Sequence, residues 1–233
     1  ALAIKSGNAC ILRCGKEAWR SANAIVTVLR QGLKKAGLPE TAVCLIEDTT
    51  HASANALMTA VGYVDLLIPR GGAGLINAVV QQSTVPVIQT GVGNCHVYVD
   101  RSADIAMAAA ITANAKASRP SVCNAAETLL IHKDIAQKAL PVIADALAEK
   151  KVRLRCCVRS AAMLAGRAVE PAEEADWETE YLDYILAVRV VDSLEEAMAH
   201  IARYGTGHSE CIVTDSARAA EAFLDQVDAA AVY

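Results

Sequence analysis

Short runs of β-branched and aliphatic residues alternate with amphipathic stretches along the whole chain, and this rhythm constrains the fold more than any other feature. Apolar runs of about four to eight residues predict strands, whereas apolar residues recurring every three or four positions predict helices. Strands that alternate with helices are typical of βαβ units and a parallel sheet. The predicted strands are residues 9–13, 42–47, 64–69, 85–88, 95–99, 128–132, 152–155, 184–191, 210–214 and 229–233.

The predicted helices complete this pattern and divide the chain into two lobes. They are residues 16–36, 52–61, 74–82, 103–116, 135–149, 193–204 and 216–227. We therefore predict an α/β protein with one lobe at 1–90 and a second at 91–233, joined near residues 89–94. Residues 165–180, rich in Ala and Glu with Pro171 in their middle, are expected to form a surface excursion between strands.

Composition supports a layered α/β core and excludes several classes of protein. The 233 residues are 54% hydrophobic but only 4% aromatic, so Ala, Val, Leu and Ile must fill the core. A net charge of -4 gives no general reason to bind nucleic acid or an anionic membrane. No apolar run approaches the roughly 20 residues of a membrane span, and no signal peptide is recognised. We expect a cytoplasmic protein with no nucleic-acid or membrane partner.

Eight cysteines lie mostly inside apolar strand-like runs, which is typical of reduced core residues rather than of a disulfide framework. Cys10 and Cys14 are spaced by three residues, and Cys156 and Cys157 are adjacent. No paired C-x-x-C motif or histidine cluster completes a zinc pattern. We therefore expect no metal site.

Cys123 is the exception, because it lies in a short polar turn between a predicted helix and an apolar strand. The helical periodicity stops before Pro120, and the strand at 128–132 begins five residues after the cysteine. A thiolate displayed at such a turn attacks acyl carbon well, so covalent acyl chemistry is one hypothesis. The alternative is that Cys123 is a small buried hydrophobic residue.

Two glycine clusters interrupt the first lobe and its junction with the second. Residues 69–75, which include Gly71 and Gly72, follow a predicted strand and open a helix, so their backbone N–H groups could meet a phosphate. A tight connection without a ligand is the alternative. Residues 90–96, with Gly91 and Gly93, are expected to let the backbone pass close to the adjoining lobe or to a flat ligand ring. A simple crossover turn between the lobes is the alternative.

Five segments, in order along the chain, carry a family resemblance: Ser6-Gly7-Asn8, Gly15-Lys16-Glu17-Ala18, Ile68-Pro69-Arg70-Gly71-Gly72, Gly91-Val92-Gly93-Asn94-Cys95-His96-Val97-Tyr98-Val99-Asp100 and the segment around Cys123. Together they resemble the γ-glutamyl phosphate reductases, also called glutamate-5-semialdehyde dehydrogenases, a branch of the aldehyde dehydrogenase superfamily. This resemblance implies a two-lobed aldehyde dehydrogenase-like fold, with a partial Rossmann-like nucleotide-binding lobe at 1–90 and a catalytic α/β lobe at 91–233. It also implies a homo-oligomer.

The resemblance also implies a reaction, the NADPH-dependent reduction of L-glutamyl 5-phosphate to L-glutamate 5-semialdehyde and phosphate in proline biosynthesis. Cys123 would attack the acyl phosphate and form a thioester. The backbone N–H of Cys123 and the amide of Asn124 would stabilise the oxyanion. Arg119 would bind the phosphate or the carboxylate of the substrate, or it is simply a surface charge at a helix end.

Four further residues are expected, from the same resemblance, to bind the cofactor together with Gly71 and Gly72. Arg13, Lys16 and Glu17 would lie near the adenosine ribose, where a cation can meet the 2′-phosphate of NADPH. Glu180 would reach the nicotinamide ribose. The alternatives are that Lys16 and Glu17 are ordinary residues of a first helical turn and that Glu180 is a solvated loop acid.

Two departures from the superfamily pattern bear on these expectations. Hydrolytic relatives carry a glutamate just before the glycines between the lobes, whereas this chain has Gln89 or Thr90, which cannot take a proton at neutral pH. This favours reduction over hydrolysis. The resemblance further implies that both ends of the parent protein are missing from the chain.

Two other functions stay open at this point. A related enzyme could use a coenzyme A thioester in place of the acyl phosphate. A non-catalytic nucleotide-binding fragment of the same fold would bind NADPH and leave Cys123 unreactive.

Overall fold

The computed structural model describes residues 2–88 and 91–233, which fall into two compact units, Ala1–Thr90 and Gly91–Tyr233. The α/β class and the parallel pairing of the strands are confirmed. Whether the first unit binds nucleotide and the second carries the reaction stays a prediction.

The first unit contains a two-stranded parallel sheet covered by one amphipathic helix. Its elements are α1 (Leu2–Lys5), β1 (Cys10–Leu12), α2 (Trp19–Lys35), a 3-10 turn (Glu40–Ala42), β2 (Val43–Leu45), α3 (His51–Met58) and α4 (Ala73–Gln82). Val26 and Leu33, two turns apart on α2, are buried with Val43 of β2. The apolar stripe that the sequence shows over residues 16–36 is therefore the face of α2 that packs on the sheet.

The strands predicted at 64–69 and 85–88 are wrong in extent, since only an isolated parallel bridge between Leu67 and Val87 forms there. The Leu67 N–H donates to the Pro86 carbonyl at 2.8 Å, and the Ile88 N–H donates to the Leu67 carbonyl at 2.9 Å. Pro86 has no N–H to donate, so the ladder cannot continue through it. The apolar pattern identified segments that run side by side but overestimated their pairing.

The second unit contains a seven-stranded sheet in the order β6-β5-β7-β4-β3-β8-β9, and the paired strands are parallel. The strands are β3 (Cys95–Val99), β4 (Ala126–His132), β5 (Arg153–Cys156), β6 (Glu170–Pro171), β7 (Ile185–Val191), β8 (Ser209–Val213) and β9 (Ala231–Val232). The helices are α5 (Ile105–Ala117), α6 (Lys133–Glu149), α7 (Val158–Met163), α8 (Leu194–Tyr204) and α9 (Ala217–Gln226).

Successive residues of the central strands β3 and β4 face opposite helical layers. Val97 and Leu129 pack in the cluster formed with α5 and α6. Tyr98 and Leu130 pack in the cluster formed with α8 and α9. Because both faces of the sheet are covered, these strands are apolar along their whole length instead of alternating with polar residues.

The segment at 165–180, expected as a surface excursion, is mostly exposed or half-buried, but Asp176 and Trp177 are buried, so the prediction is confirmed only in part. Residues 170–171 form β6 and pair with β5 at the edge of the sheet. Trp177 is 6% exposed and packs with Ala187 and Tyr204. A composition rich in Ala and Glu does not reveal that one aromatic side chain anchors the segment in the core.

The buried face of α6 provides a test of this packing. Leu140 is 1% exposed, whereas Val142 on the same helix is 45% exposed. We expect Leu140→Ala to lower the free energy of unfolding of the second unit by about 2–5 kcal/mol, because it removes buried methyl groups and leaves a cavity. Val142→Ala, the matched control, should change it by about 0.5 kcal/mol or less. Urea denaturation measures both, and equal losses in the two variants would contradict the packing described.

Candidate active site

Cys123 lies in the turn that connects α5 to β4, the central strand of the seven. Asp104 caps α5 by accepting the Met107 N–H at 2.7 Å, and the turn after the helix is closed by a hydrogen bond from the Ala125 N–H to the Val122 carbonyl at 3.0 Å. Ala125 is buried as the chain enters β4, whereas Cys123 is exposed. The predicted turn between helix and strand is confirmed, and the alternative of a buried Cys123 is wrong.

The eight cysteines all lie in the described part of the chain, and Cys123 is the exposed one. Its neighbour Cys95 is buried, and its thiol donates to the Cys123 carbonyl oxygen at 3.3 Å. Burial, reinforced by the charge of Glu210, raises the pKa of Cys95 to about 12. Cys95 therefore stays a neutral thiol that supports the backbone of the turn, while Cys123 itself is exposed.

Gly93 packs directly against the backbone of Cys123. A Cβ atom built on Gly93 would overlap the Cys123 carbonyl group, so only glycine fits this close approach. The N–H of Gly93 donates to Oε1 of Glu180 at 2.8 Å. The structure thus brings together three residues that are distant in the sequence: Gly93, Cys123 and Glu180.

Glu180 is therefore not a freely solvated loop acid, because it is half-buried and hydrogen-bonded to the backbone beside the cysteine turn. Its role toward a cofactor stays a prediction.

A cavity of about 180 Å³ lies beside Asn124, at the amino ends of β3, β4 and β8. Its wall includes Cys95, Asn124, Cys211 and the buried pair of His96 and Glu210, whose Nδ1 and Oε2 atoms are 3.0 Å apart. Asn124 itself is exposed at the rim, and Arg119 is exposed on the same turn. Both residues are close to Cys123 in the sequence. Their contacts with a substrate stay predictions.

The first unit holds the other residues predicted to bind the cofactor. Nη2 of Arg13 donates to the Thr49 and Thr50 carbonyls at 2.7 and 2.9 Å, so this cation also ties two loops together. Lys16 and Glu17 are exposed in the turn before α2, outside the helix predicted to start at residue 16.

Gly71 and Gly72 directly precede α4, as the sequence predicts. Gly72 is the N-cap residue, and no side chain caps this helix. The helix therefore begins with backbone N–H groups that have no side-chain acceptor, the arrangement in which a helix end can meet an anion.

Sequence reasoning missed a buried ion pair beside the cysteine turn. Nζ of Lys116, near the end of α5, lies 2.6 Å from Oε2 of Glu127 in β4, and neither side chain is exposed. The sequence did contain a signal for it. Lys116 stands at the end of an apolar helix and Glu127 at the start of an apolar strand, and these two elements flank the same turn.

Gln89 and Thr90, expected to replace the base of hydrolytic relatives, lie outside the described residues. Within residues 2–88 and 91–233, no group of three or more His, Cys, Asp or Glu side chains is arranged to hold a metal ion. The helices in this part of the chain are all too short or too polar to cross a membrane.

Relatives of known name match the whole chain. It is 57% identical over 233 residues to a gamma-glutamyl phosphate reductase of Streptococcus suis strain 05ZYH33, and 55% identical over 233 residues to one of Clostridium novyi strain NT. All of this chain is matched in both comparisons, together with 56% and 55% of the relatives. The chain therefore spans about half the length of the curated relatives it matches.

The comparison with solved structures agrees with the fold. The crystal structure of a gamma-glutamyl phosphate reductase from Thermotoga maritima matches with a TM-score of 0.92 and 47% identity, over 100% of this chain and 56% of that one. A propionaldehyde dehydrogenase from Clostridium phytofermentans matches with a TM-score of 0.76 at 19% identity, over 97% of this chain and 59% of its own, which shows the fold alone. The sequence model of the aldehyde dehydrogenase family matches residues 1–156. The chain belongs to the aldehyde dehydrogenase family.

Proposed function

We propose that the parent protein of this chain reduces L-glutamyl 5-phosphate to L-glutamate 5-semialdehyde and phosphate with NADPH, a step of proline biosynthesis. The observation that carries the proposal is the exposed Cys123, held in a tight turn against Gly93 and beside Glu180. The names of relatives 53–57% identical to the chain support the same reaction.

In the proposed mechanism the Cys123 thiolate attacks the acyl carbon of the substrate. The new C–S bond replaces the C–O bond to phosphate, and phosphate leaves with the bonding electrons. The thioester carbonyl that results is less stabilised by resonance than a carboxylate, so it accepts hydride more readily. After reduction the C–S bond breaks, which releases the aldehyde and restores the Cys123 thiolate.

Two hydrogen-bond donors of the turn suit the oxyanion that forms in each half of this reaction. Among the residues that the structure describes, neither the backbone N–H of Cys123 nor the side-chain amide of Asn124 donates to an acceptor. Donors that are already oriented, and that need not break a bond first, stabilise developing charge best. Arg119, exposed on the same turn, is the proposed partner of the substrate's phosphate or carboxylate.

The residues of the first unit fit a dinucleotide phosphate cofactor. The uncapped start of α4 after Gly71 and Gly72 suits the diphosphate, and the exposed Lys16, with Arg13 and Glu17, suits the adenosine end. Glu180 would hold the nicotinamide ribose. NADPH supplies the hydride for the thioester.

We propose a cytoplasmic homo-oligomer that acts on a small molecule and needs neither nucleic acid nor membrane. The negative net charge of the chain is consistent with this setting.

The reverse reaction gives the sharpest test of the proposed activity. The intact protein, given L-glutamate 5-semialdehyde, NADP⁺ and inorganic phosphate, should produce NADPH, detected by its absorbance. Omitting phosphate should stop the reaction, and NAD⁺ should replace NADP⁺ poorly. Stimulation by coenzyme A instead of phosphate would favour the acylating alternative, and cofactor binding without turnover would favour a non-catalytic domain.

A further inference from the structure

The buried pair of Lys116 and Glu127 bridges the two ends of the cysteine turn. Lys116 is in the last turn of α5 and Glu127 is the second residue of β4, so the 2.6 Å contact between Nζ and Oε2 closes the loop that contains Cys123. Both side chains are fully buried. Removing two charges from water is costly, and well-packed apolar residues often do as well for stability. The burial of this pair is therefore not explained by stability alone.

The other oxygen of Glu127 reaches the segment that follows Glu180. Oε1 accepts the Leu182 N–H at 3.4 Å. Leu182 has a φ of 55°, a left-handed backbone conformation that residues other than glycine rarely adopt. An acceptor fixed on β4 helps to hold this backbone in place.

Lys116 acts on the same segment through Tyr181. Its Nζ lies 5.9 Å from the centroid of the Tyr181 ring, and the guanidinium of Arg155 lies 5.4 Å from that centroid. The Tyr181 hydroxyl donates to Oδ1 of Asp176 at 2.8 Å. Residues 181 and 182 are thus fixed by the ion pair and by Asp176, and Glu180 directly precedes them in the chain.

These contacts form a closed circuit that returns to Cys123. Glu180 accepts the Gly93 N–H, and Gly93 lies against the Cys123 carbonyl group. Three residues of chain then connect Cys123 to Glu127. A shift of the Glu127 carboxylate would therefore displace Leu182 and, with it, Glu180, which lies beside the turn of the cysteine.

We propose that Lys116 and Glu127 are positioning residues. They fix the backbone of residues 181–182 and thereby hold the Glu180 carboxylate against Gly93, beside the turn that carries Cys123. This inference rests on the proposed function, because it assigns the pair a part in that reaction. Burial also raises the pKa of Glu127 to about 7, and it lowers the pKa of Lys116, so the pair is held together by its mutual hydrogen bond in a site that disfavours isolated charges.

Two double variants separate the charge pair from the hydrogen-bond acceptor. Lys116→Met with Glu127→Gln removes both charges but keeps an oxygen that can accept the Leu182 N–H. Lys116→Met with Glu127→Met removes both charges and the acceptor. We expect the first to lower kcat about threefold, because it removes the contact of Lys116 with Tyr181. We expect the second to lower kcat about tenfold or more, because the lost acceptor also frees the Leu182 backbone and a small misplacement of reacting groups slows the reaction strongly. Equal kcat values in two folded variants would overturn the proposal.

A mutant cycle distinguishes positioning from a general structural role. Glu180→Ala is combined with the Lys116→Met, Glu127→Met variant. If Glu127 acts through Glu180, the loss caused by the double variant largely disappears in the Glu180→Ala background. Losses that simply multiply would show that the pair acts elsewhere.

Amide hydrogen exchange tests the circuit without substrate, so its failure is separable from failure of the proposed reaction. In the unsubstituted protein the Leu182 and Gly93 amides should be protected, and both should stay protected in the Lys116→Met, Glu127→Gln variant. This measurement also applies if the Glu127→Met variant does not fold. Rapid exchange of Leu182 in the unsubstituted protein would refute the inference.

Discussion

Replacing Cys123 with serine is expected to lower the reductase activity of the intact protein about a thousandfold or more. A serine hydroxyl stays protonated near neutral pH and needs a base to become nucleophilic. Among the residues that the structure describes, no basic side chain hydrogen-bonds to the Cys123 sulfur, so the serine would have no group to take its proton. Initial rates of phosphate-dependent NADPH formation measure the loss.

Cys44→Ser is the matched control for this substitution. Cys44 lies on β2 in the first unit, and its thiol donates to the Thr41 carbonyl at 3.2 Å, a bond that a serine hydroxyl can also make. This variant should keep activity within about twofold of the starting protein. Iodoacetamide should inactivate the unsubstituted protein by labelling Cys123. Full activity of Cys123→Ser would rule out a covalent thioester.

Gly93→Ala is the second substitution for which we expect a large effect. The added methyl group would overlap the backbone carbonyl of Cys123, and backbone cannot relieve such a clash by changing a rotamer. The turn must shift, which disturbs the cysteine, its N–H donor and the hydrogen bond from Gly93 to Glu180. We expect kcat/KM to fall about a hundredfold or more and the melting temperature to fall by several degrees.

Gly91→Ala provides a closely matched comparison, because a Cβ atom at Gly91 meets no atom within 4 Å. The two variants add the same methyl group two residues apart in one motif. Steady-state kinetics and thermal unfolding should show a near-native protein for Gly91→Ala. A similar defect in both variants would mean that the glycines matter through backbone freedom and not through the close approach of Gly93 to Cys123.

Local patterns in the sequence predicted the elements that depend on local physics. The strand predicted at residues 95–99 is observed with the same ends, and the turn that exposes Cys123 follows from Pro120 and from the end of helical periodicity. The helix at 158–163 was not predicted, because its six residues are too few to show a period.

What the sequence could not predict depends on residues distant in the chain. Nothing near Glu180 indicates that it accepts from Gly93, 87 positions away. The ion pair of Lys116 and Glu127 is likewise formed only when α5 and β4 pack, although both residues could be noticed as charges in apolar surroundings. The burial of Trp177 depends on Ala187 and Tyr204, which belong to elements that follow it.

The pairing of β3 with β8 has a consequence for how the protein acquires its reactive site. His96 and Glu210 are joined by backbone and side-chain hydrogen bonds across 114 positions, and Glu210 and Cys211 form part of the cavity beside Asn124. At a translation rate of about 5–20 residues per second, roughly 6–23 seconds separate the synthesis of the two strands. A contact of such long range also slows folding. The nascent chain therefore carries Asn124 and the Cys123 turn for seconds before β8 is available to complete the wall of the neighbouring cavity.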